Sequence, residues 1–180
     1  MRNVTKASQL LLLIFCSTLL ASCATTHGSG SSYSSLSNSD YAGRMPDQIA
    51  TSEKTIMVDP KLHAWAAYDA SGKMVNGGNA SAGSDWCGDI HRPCHTSTGT
   101  HRIQSLGGPD CVSHIFPIGR GGAPMPYCMF FNGGYALHGS YDVMGYNASH
   151  GCVRMFIEDA KWLNHEFTAG YSHVPVIVKQ

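Results

Sequence analysis

From residue 55 onward, short apolar runs alternate with polar positions and are broken by Gly, Asn, Asp and Ser, a pattern that predicts strands rather than helices. Thr55-Ile56-Met57-Val58-Asp59 reads as a first strand and residues 62–68 as a second. Asp69-Ala70-Ser71-Gly72 is a turn, and Lys73-Met74-Val75 is the returning arm of a hairpin. A loop-rich centre carrying Cys87, His91, Cys94 and His95 follows, then a strand around residues 100–104. Tyr127-Cys128-Met129-Phe130-Phe131 and Tyr135-Ala136-Leu137-His138 predict two more strands, separated by the turn Asn132-Gly133-Gly134. One helix is predicted, over residues 157–167. Ala160, Leu163 and Phe167 form its apolar stripe, Glu158 and Asp159 sit in its first turn, and Gly170 is its stop. Residues 171–179 supply a last strand, with Val174, Val176 and Val178 on one face.

The N-terminal region has a different pattern. Arg2 and Lys6 precede an apolar stretch over residues 10–20, too short to span a bilayer, which needs about 20 residues. Leu20-Ala21-Ser22-Cys23 then resembles a bacterial lipobox. On this reading residues 1–22 are a lipoprotein signal peptide and Cys23 carries the lipid. Ala24 is not the Asp that resembles an inner-membrane retention signal, which points to a periplasmic protein anchored at the outer membrane. Residues 23–50, rich in Ser and Gly, read as a flexible tether. Residues 51–180 then make one folded domain, expected to be monomeric.

Composition narrows the function. Lys+Arg 12 balances Asp+Glu 12, so there is no basic footprint for nucleic acid. Twenty Gly and eight Pro with only 13% charged residues disfavour a helical bundle.

The chemistry-bearing segment is His138-Gly139-Ser140 followed by Ser149-His150-Gly151-Cys152-Val153-Arg154. A thiol with an ordinary pKa of about 8.5 needs a base or a cation to act as a nucleophile near neutrality. His138 reaches Cys152 if the intervening loop returns beside its own strand, and His150 shares a side with Cys152 if the run is extended. Gly151 permits close backbone approach, so the amides of Gly151 and Cys152 are candidate oxyanion donors. Arg154 has two readings: a bidentate grip on a substrate carboxylate, or a pairing with a local acid that holds the loop.

This constellation resembles the signature of the L,D-transpeptidases, the YkuD-type cysteine enzymes of peptidoglycan, and weaker resemblance covers nearly all of the folded region. The resemblance implies a mainly β, sandwich-like fold with one short helix near the C-terminus. It assigns the base role to His138 and leaves His150 to support substrate or oxyanion. Arg154, Ser149, Gly139 and Tyr141 are then candidate substrate-binding residues. It further implies that Cys152 attacks the diaminopimelate carbonyl of a peptidoglycan tetrapeptide stem and expels D-Ala. No cofactor or metal is called for. The acceptor stays open among another diaminopimelate amine, a lysine of a wall-attached lipoprotein, a free D-amino acid and water.

Two departures stand out. Gly139 has no side chain, so whatever orients His138 is a backbone carbonyl or a residue from elsewhere. Ser97-Thr98-Gly99-Thr100-His101 lacks the proline and the aromatic residue of the family pattern. The loop over residues 140–148, with Tyr141 and Tyr146, reads as a lid or stacking surface.

With Cys152 as nucleophile, Cys87, Cys94, Cys111 and Cys128 are candidates for two disulfides outside the cytoplasm. Three connectivities exist; Cys87–Cys94 with Cys111–Cys128 is preferred because it leaves Cys152 free. The cluster Cys87, His91, Cys94, His95 matches no zinc spacing. Papain-like and NlpC-like peptidases place Cys before His in the chain, and sortases place the His far upstream. A non-catalytic wall-binding or host-interaction lipoprotein is the competing reading, and intact Cys152 and His138 argue against it.

Overall fold

The computed structural model describes residues 44–169 and 173–180. In chain order the strands are β1 (Thr55–Asp59), β2 (Ala64–Tyr68), β3 (Met74–Asn79), β4 (Gly99–Arg102), β5 (Ser105–Leu106), β6 (Met129–Asn132), β7 (Tyr135–Gly139), β8 (Val153–Met155) and β9 (Pro175–Val178). One helix, α1 (Ile157–Trp162), lies between β8 and β9. The strands form two sheets, ordered β3-β2-β1-β9-β4 and β5-β6-β7-β8. Pairing is antiparallel except for β1 with β9 and β7 with β8. No helix among the described residues is long and apolar enough to cross a membrane.

The main core lies between the sheets, as the period-2 side-chain alternation requires. Ile56, Val58, Trp65, Ala67, Val176 and Val178 from one sheet meet Met129, Phe131, Leu137, Val153 and Met155 from the other. The first sheet is covered on its outer face too. There Met57, Ala64, Ala66 and Tyr68 pack with Met45 and Ile49. This is why β1 and β2 are buried along their whole length instead of alternating.

That outer cover corrects the tether boundary. Residues 44–50, read from composition as the end of the tether, are packed on the domain. Ile49 N–H donates to Gly72 O and Met74 N–H to Asp47 O, each at 2.9 Å, and Tyr68 Oη donates to Pro46 O at 2.9 Å. Met45 and Ile49 supply the apolar surface that the sheet's outer face needs. The signal segment, Cys23 and the rest of the proposed tether lie outside the described residues, as does Gly170.

The predicted helix is present with a change of winding. α1 gives way to a π-helical turn, Leu163–Phe167, in which Thr168 N–H bonds to Leu163 O at 2.9 Å. The wider turn brings Asn164 to the buried side beside Leu163 and Phe167. Its amide donates to the carbonyls of Gly107 and Cys128 at 3.1 and 3.3 Å. The Gly107 carbonyl is thereby satisfied inside the fold, and that of Cys128 also accepts Gly107 N–H at 2.8 Å.

Asp159, in the first turn of α1, is half-buried against Trp65 across Gly78. Burial pushes its carboxyl up from the ordinary 3.8 to about 6; the neighbouring indole opposes this and Glu158 adds to it. The folded state therefore holds this proton more tightly than the unfolded chain. Stability from this group is greatest at low pH, falls as pH rises through about 6, and stays lower above it. Allowing for solvent screening, the loss is about 1–2 kcal/mol. Asp159→Asn is expected to be more stable than wild type at pH 7.5 by that amount and equal to it near pH 4. Urea titrations at both pH values check this, and a gain independent of pH would refute the cause.

Candidate active site

The register of β7 against β8 assembles the site. Leu137 pairs with Val153, His138 with Arg154 and Gly139 with Met155. Partners in neighbouring strands share a face, so Leu137, Val153 and Met155 enter the core while Ala136, His138, Cys152 and Arg154 project from the opposite side. His138, Cys152, Arg154 and His150 line one cavity of about 490 Å³.

His138 is buried, 5% exposed, and its Nδ1 lies 2.9 Å from Gly139 O. A carbonyl only accepts, so Nδ1 carries the proton and Nε2 is left with a lone pair. The third group orienting the ring is thus a backbone carbonyl. Burial lowers the imidazole pKa from 6.5 to about 4; the Gly139 bond opposes this and the Arg154 cation reinforces it. Burial pushes the Cys152 thiol up, against the Ala136 amide and Arg154, which both pull it down. At neutral pH the pair is therefore a neutral imidazole and a neutral thiol. The Cys152 Sγ–H points to Gly134 O at 3.6 Å.

His150 is held differently. Its Nε2 bonds to the Asp89 carboxylate at 2.8 and 2.9 Å, and its ring stacks on Phe116 with centroids 4.2 Å apart. The histidine lowers the Asp89 carboxyl pKa. One ring nitrogen is thus already committed to a carboxylate.

Three of the sequence expectations change on this geometry, those for Gly151, Gly139 and Tyr141. The Ser149 hydroxyl accepts from Gly151 N–H at 3.0 Å and donates to Cys152 O at 2.5 Å, so it braces the turn, and the residue lines the cavity as well. The Gly151 amide, expected as an oxyanion donor, is consumed by that same bond. Gly139 is buried with its amide on Pro126 O at 2.8 Å; it positions His138 from behind and does not line the cavity. Tyr141, expected at a lid, is 81% exposed and also lies off the cavity wall. The cavity wall is completed instead by the segment holding Val112, Ile115, Phe116 and Met125, the last of which shares a small cluster with Cys152.

Gly151 is obligatory for two reasons. Its φ is +126°, and a Cβ there would stand 2.6 Å from the Tyr135 ring. The run is therefore not extended at this point; it turns, so strand alternation is not what brings His150 and Cys152 to one cavity. Gly151→Ala is expected to lose about 2–4 kcal/mol of stability from backbone strain and the displaced ring. A thermal unfolding midpoint equal to wild type would contradict that.

The neighbouring loop is tied to this turn. Ser81 and Arg154 exchange two backbone bonds of 2.9 Å, and Thr96 Oγ1 donates to Gly151 O at 2.8 Å. Disulfides join Cys87 to Cys94 and Cys111 to Cys128, with Cα separations of 6.0 and 6.2 Å, and Cys152 is free. The Cys87 and Cys94 sulfurs lie close to His150 but are bonded to each other, so they offer no thiolate to a metal. Asp89, Thr96 and Phe116 were not singled out from the sequence. Only Asp89 left a trace there, as one of few charges, enclosed between two cysteines.

A sequence profile of the L,D-transpeptidase catalytic domain, YkuD, matches residues 53–178. The chain belongs to this family. Its fold is similar to an L,D-transpeptidase from Xylanimonas cellulosilytica, with TM-score 0.65 and 26% identity over 77% of this chain and 66% of that one. It is also similar to an L,D-transpeptidase from Stackebrandtia nassauensis, at TM-score 0.56 and 23% identity, covering 74% and 58%. A third, L,D-transpeptidase 3 from Mycobacterium tuberculosis in complex with a faropenem-derived adduct, gives 0.54 and 18%, covering 71% and 60%. The chain thus spans less than two thirds of these proteins' own lengths. A search among curated proteins finds no match. In this L,D-transpeptidase domain the mainly β sandwich with a single short helix near the C-terminus is as the sequence predicts.

Proposed function

We propose that the protein is a peptidoglycan L,D-transpeptidase with Cys152 as nucleophile and His138 as general base. One observation carries this reading: Cys152, immediately before β8, and His138, on the adjacent parallel β7, open into one cavity, with Nδ1 of His138 held by Gly139 O and Nε2 left to accept a proton. Cys152 Sγ attacks the diaminopimelate carbonyl of a tetrapeptide stem while its proton passes to His138 Nε2. The C–N bond to D-Ala breaks, and the proton leaves on the D-Ala amine. An acceptor amine then attacks the thioester, the C–S bond breaks, and the thiol regains its proton. The Cys152 amide remains the candidate oxyanion donor. Arg154 makes no hydrogen bond or ion pair through its guanidinium with any described residue, which supports the substrate-carboxylate reading over the loop-holding one. The lipid on Cys23, periplasmic placement at the outer membrane and a monomeric state belong to the same proposal.

Incubating the purified protein with a diaminopimelate-containing tetrapeptide and an amine acceptor tests it by mass spectrometry. D-Ala release and a covalent stem adduct on Cys152 are expected. A protein that binds stems without ever releasing D-Ala would be the non-catalytic lipoprotein instead. Muropeptide analysis of walls from cells with and without the protein identifies the acceptor.

A further inference from the structure

The cavity carries a second unengaged cation. Arg92 lies on its wall, exposed, in the loop closed by the Cys87–Cys94 disulfide. Its backbone is fixed: Cys87 N–H donates to Arg92 O at 2.9 Å. The same loop is pinned to the catalytic turn by the Asp89–His150 pair at 2.8 Å. Yet the Arg92 guanidinium makes no hydrogen bond or ion pair with any described residue. The cavity wall thus holds two guanidiniums, Arg92 and Arg154, against a single carboxylate, Asp142. In a chain whose charges balance at 12 and 12, this local excess suits an anionic ligand with more than one carboxylate.

The two cations differ in their place in the chain and in which groups feel them. Arg154 is two residues beyond Cys152 on the same strand face, and its charge is felt by both Cys152 and His138. Arg92 belongs to a separate loop. A tetrapeptide stem presents two carboxylates in the same order: that of the leaving D-Ala is one carbon from the scissile nitrogen, and that on the diaminopimelate side chain is several bonds away. We propose that Arg92 is a specificity-determining residue that binds the side-chain carboxylate of the donor's third residue, with Arg154 serving the leaving group. The proposal rests on the transpeptidase reading above. It makes the disulfide-closed loop the part of the enzyme that distinguishes a diacid at the third position from an amidated or lysine-type residue, because guanidinium and carboxylate match as a planar bidentate pair.

The test compares two tetrapeptide donors, one with the diaminopimelate carboxylate free and one with it amidated. Wild type is expected to prefer the free acid by about 10–100-fold in kcat/KM, mostly through KM, the range for a hydrogen-bonded charge. Arg92→Gln should reduce the preference to within about threefold, and Arg92→Lys should keep part of it. A preference unchanged in Arg92→Gln would overturn the proposal. Binding of both peptides to Cys152→Ala protein, with and without Arg92→Gln, is measured by calorimetry in parallel. Discrimination that depends on Arg92 there, in a protein whose wild type turns over neither donor, would uphold the recognition role and reject the transpeptidase reading. Equal binding of the two peptides by Cys152→Ala would overturn the role of Arg92. Arg92 is exposed, so neither substitution removes packing.

Discussion

Cys152→Ala protein exposed to a carbapenem is expected to show no covalent adduct by intact mass, and to release no D-Ala from a tetrapeptide donor. The sulfur forms the thioester through which both halves of the proposed reaction pass. Removing a nucleophile that works with a base typically costs on the order of 10⁶-fold in turnover. Stability should change little. Cys152 is only partly buried, on the edge of a small cluster with Met125, Cys128 and Ala136, and its thiol makes one long contact of 3.6 Å. Loss of that sulfur is expected to cost about 1 kcal/mol or less. An adduct that forms on Cys152→Ala as readily as on wild type would sink the assignment.

The second large effect concerns the base. His138→Ala is expected to lower the acylation rate by roughly 10²–10⁴-fold, the usual contribution of an acid–base group. The pH profile gives the sharper signature. With the His138 pKa lowered to about 4, the imidazole stays neutral through the range where an ordinary histidine would protonate. Acylation by wild type should therefore stay level from neutrality down to about pH 5 and fall with a midpoint near 4. In His138→Ala the level region should vanish, leaving a rate that climbs with pH as thiolate forms; because burial raises the thiol pKa, that climb continues well into the alkaline range. His150→Ala, which loses the Asp89 bond and the Phe116 stack, should retain the level region at reduced rate. Stopped-flow acylation with a chromogenic β-lactam reads all three. A profile unchanged in His138→Ala and abolished in His150→Ala would transfer the base role to His150. The depressed histidine also makes stability depend on pH: its contribution is complete above about 6.5 and is lost as pH falls through 4, since the unfolded chain protonates first.

Local pattern alone was enough for most strands. Thr55–Asp59 has the predicted bounds, and the hairpin across Asn132-Gly133-Gly134 and the start of α1 at Ile157 fall where turn residues and apolar spacing place them. These features depend on neighbours within a few residues, which a sequence displays directly. The motif around Cys152 and the family likewise were readable, because the residue types and their order carry the resemblance.

Side-chain assignments within that motif needed the third dimension. Whether Ser149, Gly139 and Gly151 face substrate or each other depends on one left-handed turn at Gly151 and on the register of β7 with β8, and neither has a local signature. The π-helical turn holds Asn164 against carbonyls of Gly107 and Cys128, far away in the chain, which no local pattern shows. Residues 44–50 resemble a linker in composition and are ordered by an outer sheet face that only the folded strands create. Asp89 and Arg92 reach the cavity wall and the catalytic turn through a disulfide whose partner choice the sequence left as one of three. Most strands, the turns and the start of the helix were thus legible in the sequence, since each follows from backbone preference and short-range periodicity, and the motif around Cys152 was legible from residue types and their order. Only tertiary structure decided which polar groups are used up inside the fold and which remain open to a ligand, because hydrogen bonds between distant segments make that division.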